Sequence, residues 1–373
     1  MAAPVATAAP RAAAAPTSPA AAPAPTTVAP APPLTPESFG AVGDGSTDDT
    51  AALQRSLDAL RPGDTLAIGD GKVYRHTDIL TVRTPDVRIV GQGTLLATNE
   101  ARSEVFVDAD RVEVDDITLR MQTTTRRWGA FEQMKLRLGA RTGIVVRRVV
   151  IDGSAAAGIY LWGSSSFLLE DVQVHDTRAD GIHLTGPTHD GTVRRALVER
   201  SGDDGVAVVS YRNDRVPVAR VLIDRPTVRG NTWGRGVSVV GGDDITLRDV
   251  KVQASSAAAI YIASEGDPWN TFAPKRVRVQ TADLQGSNTA SGVDHGAFLI
   301  YSGNPSSPPR DISADHVTIS DTRRGASSQV GVRADGGCAI VHVSLYKFTV
   351  RGGGNVFSAN VPSDVYTRTS WVG

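Results

Sequence analysis

The sequence predicts an all-β solenoid of short parallel strands, and three observations carry that reading. The first is a phrase that recurs down the middle of the chain: two small or charged residues, then Gly, then alternating apolar residues. It reads Ala156-Ala157-Gly158-Ile159-Tyr160-Leu161, then Ala179-Asp180-Gly181-Ile182-His183-Leu184, then Asp203-Asp204-Gly205-Val206-Ala207-Val208, then Gly234-Arg235-Gly236-Val237-Ser238-Val239. The glycines are 181 − 158 = 23, 205 − 181 = 24 and 236 − 205 = 31 residues apart. Periods of about 20–50 residues mark solenoids, in which each unit buries its apolar edge only against its neighbours. The second observation is a series of short runs rich in β-branched residues, too short for helices, such as Val87-Arg88-Ile89-Val90, Val172-Gln173-Val174, Val250-Lys251-Val252 and Val317-Thr318-Ile319. The third is their density. Two such runs fall within one repeat, which leaves no room for the helices of a βαβ fold.

Taken in chain order, residues 1–36 are almost entirely Ala, Pro, Thr and Val. They read as a disordered, extended Pro-rich linker that cannot bury a core, and they lack the basic region and continuous apolar segment of an uncut signal peptide. The expectation is an exported bacterial protein, secreted or held at the cell surface, whose leader has been removed. Order is expected from about Phe39, with one domain over residues 37–373. The polar turn Gly43-Asp44-Gly45-Ser46-Thr47-Asp48-Asp49-Thr50 precedes a stretch with Leu53, Leu57 and Leu60 at helical spacing. Asp48, Asp49 or Thr50 can cap that helix, which is expected to cover the first coil as an N-terminal cap. Residues 121–141, 265–275 and 302–310 interrupt the repeat, and long loops on a solenoid build the walls of a groove.

Composition narrows the function. With 39 basic and 40 acidic residues the formal net charge is −1. No global field draws the chain to nucleic acid or an anionic membrane. A single cysteine, Cys338, rules out an intramolecular disulfide and argues against a cysteine-based zinc site. No apolar stretch of about 20 residues is present to span a bilayer.

The repeat also stacks charge. Asp180, Asp204 and Arg235 precede equivalent glycines, and Asp203 adjoins Asp204. Coils of a parallel solenoid lie about 4.8 Å apart, so equivalent residues become neighbours. Ile182, Val206 and Val237 should point inward, and His183, Ala207 and Ser238 outward. Carboxylates crowded in this way repel one another, and at least one gains proton affinity, as a general acid requires. An inverting glycosidase places acid and base about 6.5–9.5 Å apart, a separation within reach of one or two coils. The plainer reading is that Asp serves solenoid turns by bonding its own backbone, and Asp243-Asp244 is read so. Arg235 can be a counter-charge or a substrate contact.

Two resemblances extend this reading. Residues 39–60 resemble the opening of the pectate-lyase superfamily, which implies a single-stranded right-handed parallel β-helix. Residues 175–242 resemble the polygalacturonase and rhamnogalacturonase family of glycosidases. Arg178-Ala179-Asp180-Gly181 stands where that family has Asn-Thr-Asp-Gly, and Ser201-Gly202-Asp203-Asp204 where it has Gly-Asp-Asp. The resemblance makes Asp180, Asp203 and Asp204 catalytic. By position it implies Asp204 as the acid and Asp180 with Asp203 as the pair that holds water, with no metal or cofactor. The family's His position is Arg235, and its Arg-Ile-Lys phrase is replaced by Tyr261-Ile262-Ala263. A neutral or differently charged glycan is therefore expected in place of galacturonan, with Tyr261 stacking on a sugar.

Arg235, His183, Tyr261, Tyr160, Trp233 and Glu265 are the expected substrate contacts, and Tyr211, Trp162, Trp269 and Phe298 further candidates for sugar stacking. The leading expectation is a monomeric glycoside hydrolase acting on a polysaccharide or oligosaccharide. A calcium-dependent polysaccharide lyase or uronate epimerase with Arg235 as base is the alternative, since Ca²⁺ favours clustered carboxylates. A non-catalytic glycan-binding solenoid is the third reading.

Overall fold

β-Branched residues at every second position build two long parallel sheets. The computed structural model describes residues 1–5, 9, 32–352 and 354–373. Most of the expected linker, residues 6–8 and 10–31, therefore lies outside the described residues. Pro33–Gly373 is one compact unit. One sheet has 11 strands. In chain order these are β1 (Leu80–Val82), β2 (Val105–Val107), β3 (Leu136–Leu138), β4 (Ile159–Trp162), β5 (Ile182–Thr185) and β6 (Val206–Val209), followed by β7 (Val237–Val240), β8 (Ile260–Ser264), β9 (Phe298–Ser302), β10 (Val330–Ala334) and β11 (Phe357–Ala359). Each pairs only with the strand before and after it. The remaining sheet strands form a second, 20-stranded sheet that returns each coil to the first.

The register confirms the column. Ile159, Ile182, Val206, Val237, Ile260 and Phe298 lie side by side and are buried in the core. Phe298 thus belongs to the core and not to a sugar subsite; its ring meets Phe348 edge-on. The next position outward holds Tyr160, His183, Ala207, Ser238, Tyr261 and Leu299.

The recurring glycine is a packing requirement. A Cβ on Gly158 or Gly181 would stand 2.7 Å from the carbonyl oxygen of the next glycine, and one on Gly205 would stand 2.6 Å from that of Gly236. Each would also strike a core valine: Val174, Val198 or Val228. We expect Gly205→Ala to destabilise the protein by about 1–3 kcal/mol, the usual cost of forced overpacking. A denaturant midpoint equal to that of the unaltered protein would refute this.

Corners between strands carry charge in left-handed backbone, such as Asp171 (φ 55°) and Arg195 (φ 51°), which form a two-pronged ion pair at 2.6 and 2.7 Å. Asp244 (φ 60°) is another corner and accepts from Arg278 at 2.6 Å, while Asp243 pairs with Lys275 at 3.0 Å. Asp243-Asp244 is thus structural, as expected, but through pairs to the next coil at the start of a strand and not by bonding its own backbone in a turn.

The expected cap helix is present as α1 (Thr50–Asp58), with Leu53 and Leu57 buried. Asp48 accepts from the Thr50 N–H at 3.0 Å. Asp49, at the N-cap position, instead accepts from the Val42 and Gly43 N–H groups at 2.7 and 3.0 Å. Asp44 closes its turn by accepting from Ser46 and Thr47. None of these aspartates reaches the column. The chain joins the fold at Leu34, which bridges Leu66, earlier than the expected Phe39. No helix among the described residues is long and apolar enough to cross a membrane.

Candidate active site

The coil-to-coil backbone ladder places the acidic column. The Gly158 N–H donates to the Asp180 carbonyl, Gly181 to Asp204 and Gly205 to Arg235, at 2.9–3.0 Å. The side chains repeat that pattern. Asp180 Oδ1 accepts from the Asp204 backbone N–H at 2.9 Å, and Asp204 Oδ1 accepts from the Arg235 N–H at 2.7 Å. The other oxygens are also engaged. Asp180 Oδ2 lies 2.5 Å from His183 Nδ1, and Asp204 Oδ2 accepts from Ser238 Oγ at 2.5 Å. The carboxylate partner makes Nδ1 the protonated nitrogen of His183.

Asp203 differs. It faces the cleft and meets Arg127 Nη2 at 2.7 Å. Its turn opens because Gly234 (φ 84°) leaves room for its carboxylate; a Cβ there would collide with it. Burial and the neighbouring carboxylates of Asp180 and Asp204 push the Asp203 carboxyl up to about 8, with Arg127 pulling the other way. Burial also pushes Asp204 up, opposed by Arg235 and the Ser238 hydrogen bond. The linkage has a definite sign. A carboxyl raised from 3.8 to about 8 favours the fold most below 3.8, and that contribution is lost progressively as pH rises from there to about 8.

The three carboxylates converge, with one oxygen of each inside a 4.8 Å circle of mutual distances. That is closer than the expected separation of about 6.5–9.5 Å. Ca²⁺ takes six to eight oxygens at about 2.3–2.6 Å. The three carboxylates lie close enough together to offer oxygens to such an ion, and both oxygens of Asp180 and of Asp204 are also engaged by polar groups of the protein.

Arg235 is a counter-charge. Its Nη2 meets Glu265 Oε1 at 3.1 Å and its Nη1 lies 3.7 Å from Asp204. Its guanidinium stands 4.4 Å from the Tyr261 ring centroid, and the Tyr261 hydroxyl donates to Glu265 at 3.1 Å. Burial lowers its proton affinity, but the adjacent carboxylates outweigh that and hold it protonated. These carboxylates disfavour the deprotonated arginine that the lyase alternative asks of Arg235. Tyr261, at 3% exposure, packs beneath Arg235 and cannot stack on a sugar, contrary to expectation. The cause is tertiary: the Arg235 guanidinium and the His295 and Tyr301 rings, with centroids 5.4 and 6.3 Å away, enclose the Tyr261 ring.

The cleft has a volume of about 740 Å³ and is lined by the trio, His183, Tyr211, Trp233, Arg235 and Glu265, among others. Trp233 and Trp269 each stand 57% exposed in its walls. Tyr160 is not part of the lining; it stacks on His183 with centroids 5.0 Å apart. Glu265 closes a loop in which the Thr271 N–H donates to its carbonyl at 2.9 Å. His175, close to the trio in sequence, sits on the other sheet, 3.3 Å from Glu199. Trp162 is exposed elsewhere on β4.

Arg127 escaped sequence reasoning. It lies 203 − 127 = 76 residues from its partner, in the expected wall loop, with nothing in its neighbourhood to mark it.

Known proteins resemble this chain. A family model described as a right-handed beta helix region matches residues 135–273. The catalytic domain of a GH87 α-1,3-glucanase, solved with tetrasaccharides, superposes with a TM-score of 0.73 at 14% identity, covering 93% of this chain and 70% of that one. A thermostable GH87 α-1,3-glucanase from Streptomyces thermodiastaticus gives 0.67 at 20% identity, over 94% and 70%. The A-module of the Azotobacter vinelandii mannuronan C-5 epimerase AlgE4 gives 0.60 at 14%, over 90% and 99%. A capsule-specific depolymerase of Klebsiella phage K64-1 is 25% identical over 201 residues, which are 48% of this chain and 26% of the phage protein. This chain thus spans about a quarter of that depolymerase. What these proteins share with it, and what the two stacked parallel sheets display directly, is the fold: the chain is a right-handed parallel β-helix.

Proposed function

We propose that the protein is a secreted, monomeric glycoside hydrolase that cleaves a polysaccharide through Asp180, Asp203 and Asp204, without metal or cofactor. The observation that carries this is the unequal environment of the trio. Asp203 opens to the cleft and keeps its proton near neutrality, as a general acid must. Asp180 and Asp204 instead each accept two contacts from protein polar groups, which fix the direction of their oxygens. In this reading Asp203 protonates the leaving glycosidic oxygen. One of the other two carboxylates takes one proton from a water that attacks the anomeric carbon from the opposite side as the bond to the leaving oxygen breaks, and the other holds that water by accepting its remaining O–H, which stays on the new anomeric hydroxyl. The acid is thus Asp203, not the Asp204 that sequence position implied. Carboxylates so fully hydrogen-bonded make poor nucleophiles, which favours single displacement and inversion over a covalent intermediate. The short separation within the trio argues the other way, so the anomer first released, followed by proton NMR, decides. A retained anomer overturns inversion.

The likenesses support a polysaccharide substrate, since the glucanases, the depolymerase and the epimerase are all named for glycans. The glucanase has also been solved with each of three aspartates changed to alanine. Two of these are adjacent, and the third lies upstream by the interval that separates Asp180 from Asp203, 203 − 180 = 23 residues. The rest of the polygalacturonase pattern is not kept, so a polygalacturonase-like trio serves a different glycan.

The test is a panel of plant, algal and bacterial polysaccharides, with and without chelator, following reducing ends together with the absorbance of unsaturated uronic acids. New reducing ends without that absorbance, unchanged by chelator, are expected. Absorbance that chelator abolishes would establish a lyase instead. A pH profile adds a second check. Because the acid must be protonated, activity should fall as pH rises through about 8, and a rate that keeps climbing past that point removes Asp203 from the role.

A further inference from the structure

The cleft extends well beyond the trio, and its far end has a charge pattern that the hydrolytic reaction does not use. Two arginines line it, Arg127 and Arg235, against six carboxylates: the trio, Glu265, Asp267 and Asp335. Neither arginine is free. Arg127 is paired with Asp203 at 2.7 Å and Arg235 with Glu265 at 3.1 Å. Asp267 and Asp335 are exposed at the cleft wall and have no ion pair among the described residues. Asp335 accepts only the Tyr301 hydroxyl as a side-chain partner.

A uronic acid or sulfated sugar brings an anion that needs a guanidinium or ammonium donor. In this cleft it would find each guanidinium already partly neutralised by a carboxylate, and it would also face two uncompensated carboxylates. An uncharged sugar needs neither. Its apolar ring face needs an aromatic surface, and Trp269, next but one to Asp267, and Trp233 present half-exposed indoles to the same cleft.

We propose that Asp267 and Asp335 are specificity-determining residues that make the distal cleft a charge filter, admitting uncharged polysaccharides and turning away acidic ones. This rests on the cleft being the glycan site proposed above. The discrimination is electrostatic and acts at a solvent-exposed wall, so it weakens as salt shortens the screening length, from about 10 Å at 0.1 M to about 3 Å at 1 M.

The experiment is affinity electrophoresis in gels containing dextran, glucomannan, polygalacturonate or alginate. Asp180→Asn is the background, so that nothing is cleaved while Arg127 keeps its partner. Retardation by a neutral polymer and not by either acidic one is expected. Adding Asp267→Asn and Asp335→Asn should shift the ratio of acidic to neutral affinity by about tenfold towards acidic polymers at low salt, with the shift fading at high salt. Stronger retardation by polygalacturonate or alginate in the background protein overturns the filter, as does retardation by none of the four. A ratio unchanged by the two substitutions overturns the assignment to Asp267 and Asp335. None of these outcomes depends on turnover, so the filter can fail while hydrolysis stands. Hydrolysis can likewise fail, with chelator-sensitive unsaturated products appearing in the polysaccharide panel, while the filter stands.

Discussion

Asp203→Asn should lower kcat by about 10²–10⁴ while leaving the fold intact, the range a positioned general acid contributes. Asn has the shape of the carboxylic acid but no proton at the acidity that departure of the sugar oxygen requires. The same change removes a charge that burial and two neighbouring carboxylates oppose. Above about pH 8, where Asp203 would otherwise be forced to ionise, the variant should therefore be at least as stable as the unaltered protein. Turnover of the polymer identified in the panel, together with the unfolding midpoint at pH 9, tests both halves. Undiminished cleavage would remove Asp203 from catalysis. Undiminished glycan binding in a chain that never cleaves would favour the binding solenoid.

Arg235→Leu should be the most damaging single change to stability. It strands Asp204 and Glu265, which both lean on that guanidinium. Removing one partner of a buried pair typically costs about 3–5 kcal/mol, because the remaining charge stays desolvated. The loss should be smaller for Arg235→Lys, whose ammonium is a point charge and cannot span both carboxylates as the planar fork does. It should also shrink when Glu265→Gln accompanies Arg235→Leu, since one stranded charge is then removed. Denaturant titration of the three variants gives the order. If Arg235→Leu melts with the unaltered protein, the arginine is not the counter-charge described above.

The two predictions draw on different sources. The trio and the arginine were legible as a column because a solenoid repeats. A glycine at fixed spacing, forced by the 2.6–2.7 Å approach of the next coil's carbonyl, sets the register. Once the register is set, Asp180, Asp204 and Arg235 have to be neighbours. The cap helix was legible for a similarly local reason, three leucines at helical spacing behind an aspartate-rich turn. What the sequence determined by itself is thus the coil, its cap, and which acidic residues meet.

The tertiary structure decided what those residues can do. Only the path of the 121–141 loop brings Arg127 to Asp203. Only the packing of Arg235, His295 and Tyr301 around Tyr261 turns it from an expected sugar platform into a buried support, and only burial together with the neighbouring carboxylates separates the proton affinity of Asp203 from the ordinary carboxylate range. The division has one physical cause. Stacking of coils is a nearest-neighbour interaction that recurs every repeat and leaves a periodic trace. Loop paths, burial and electrostatic coupling are sums over residues distant in the chain, and no period records them.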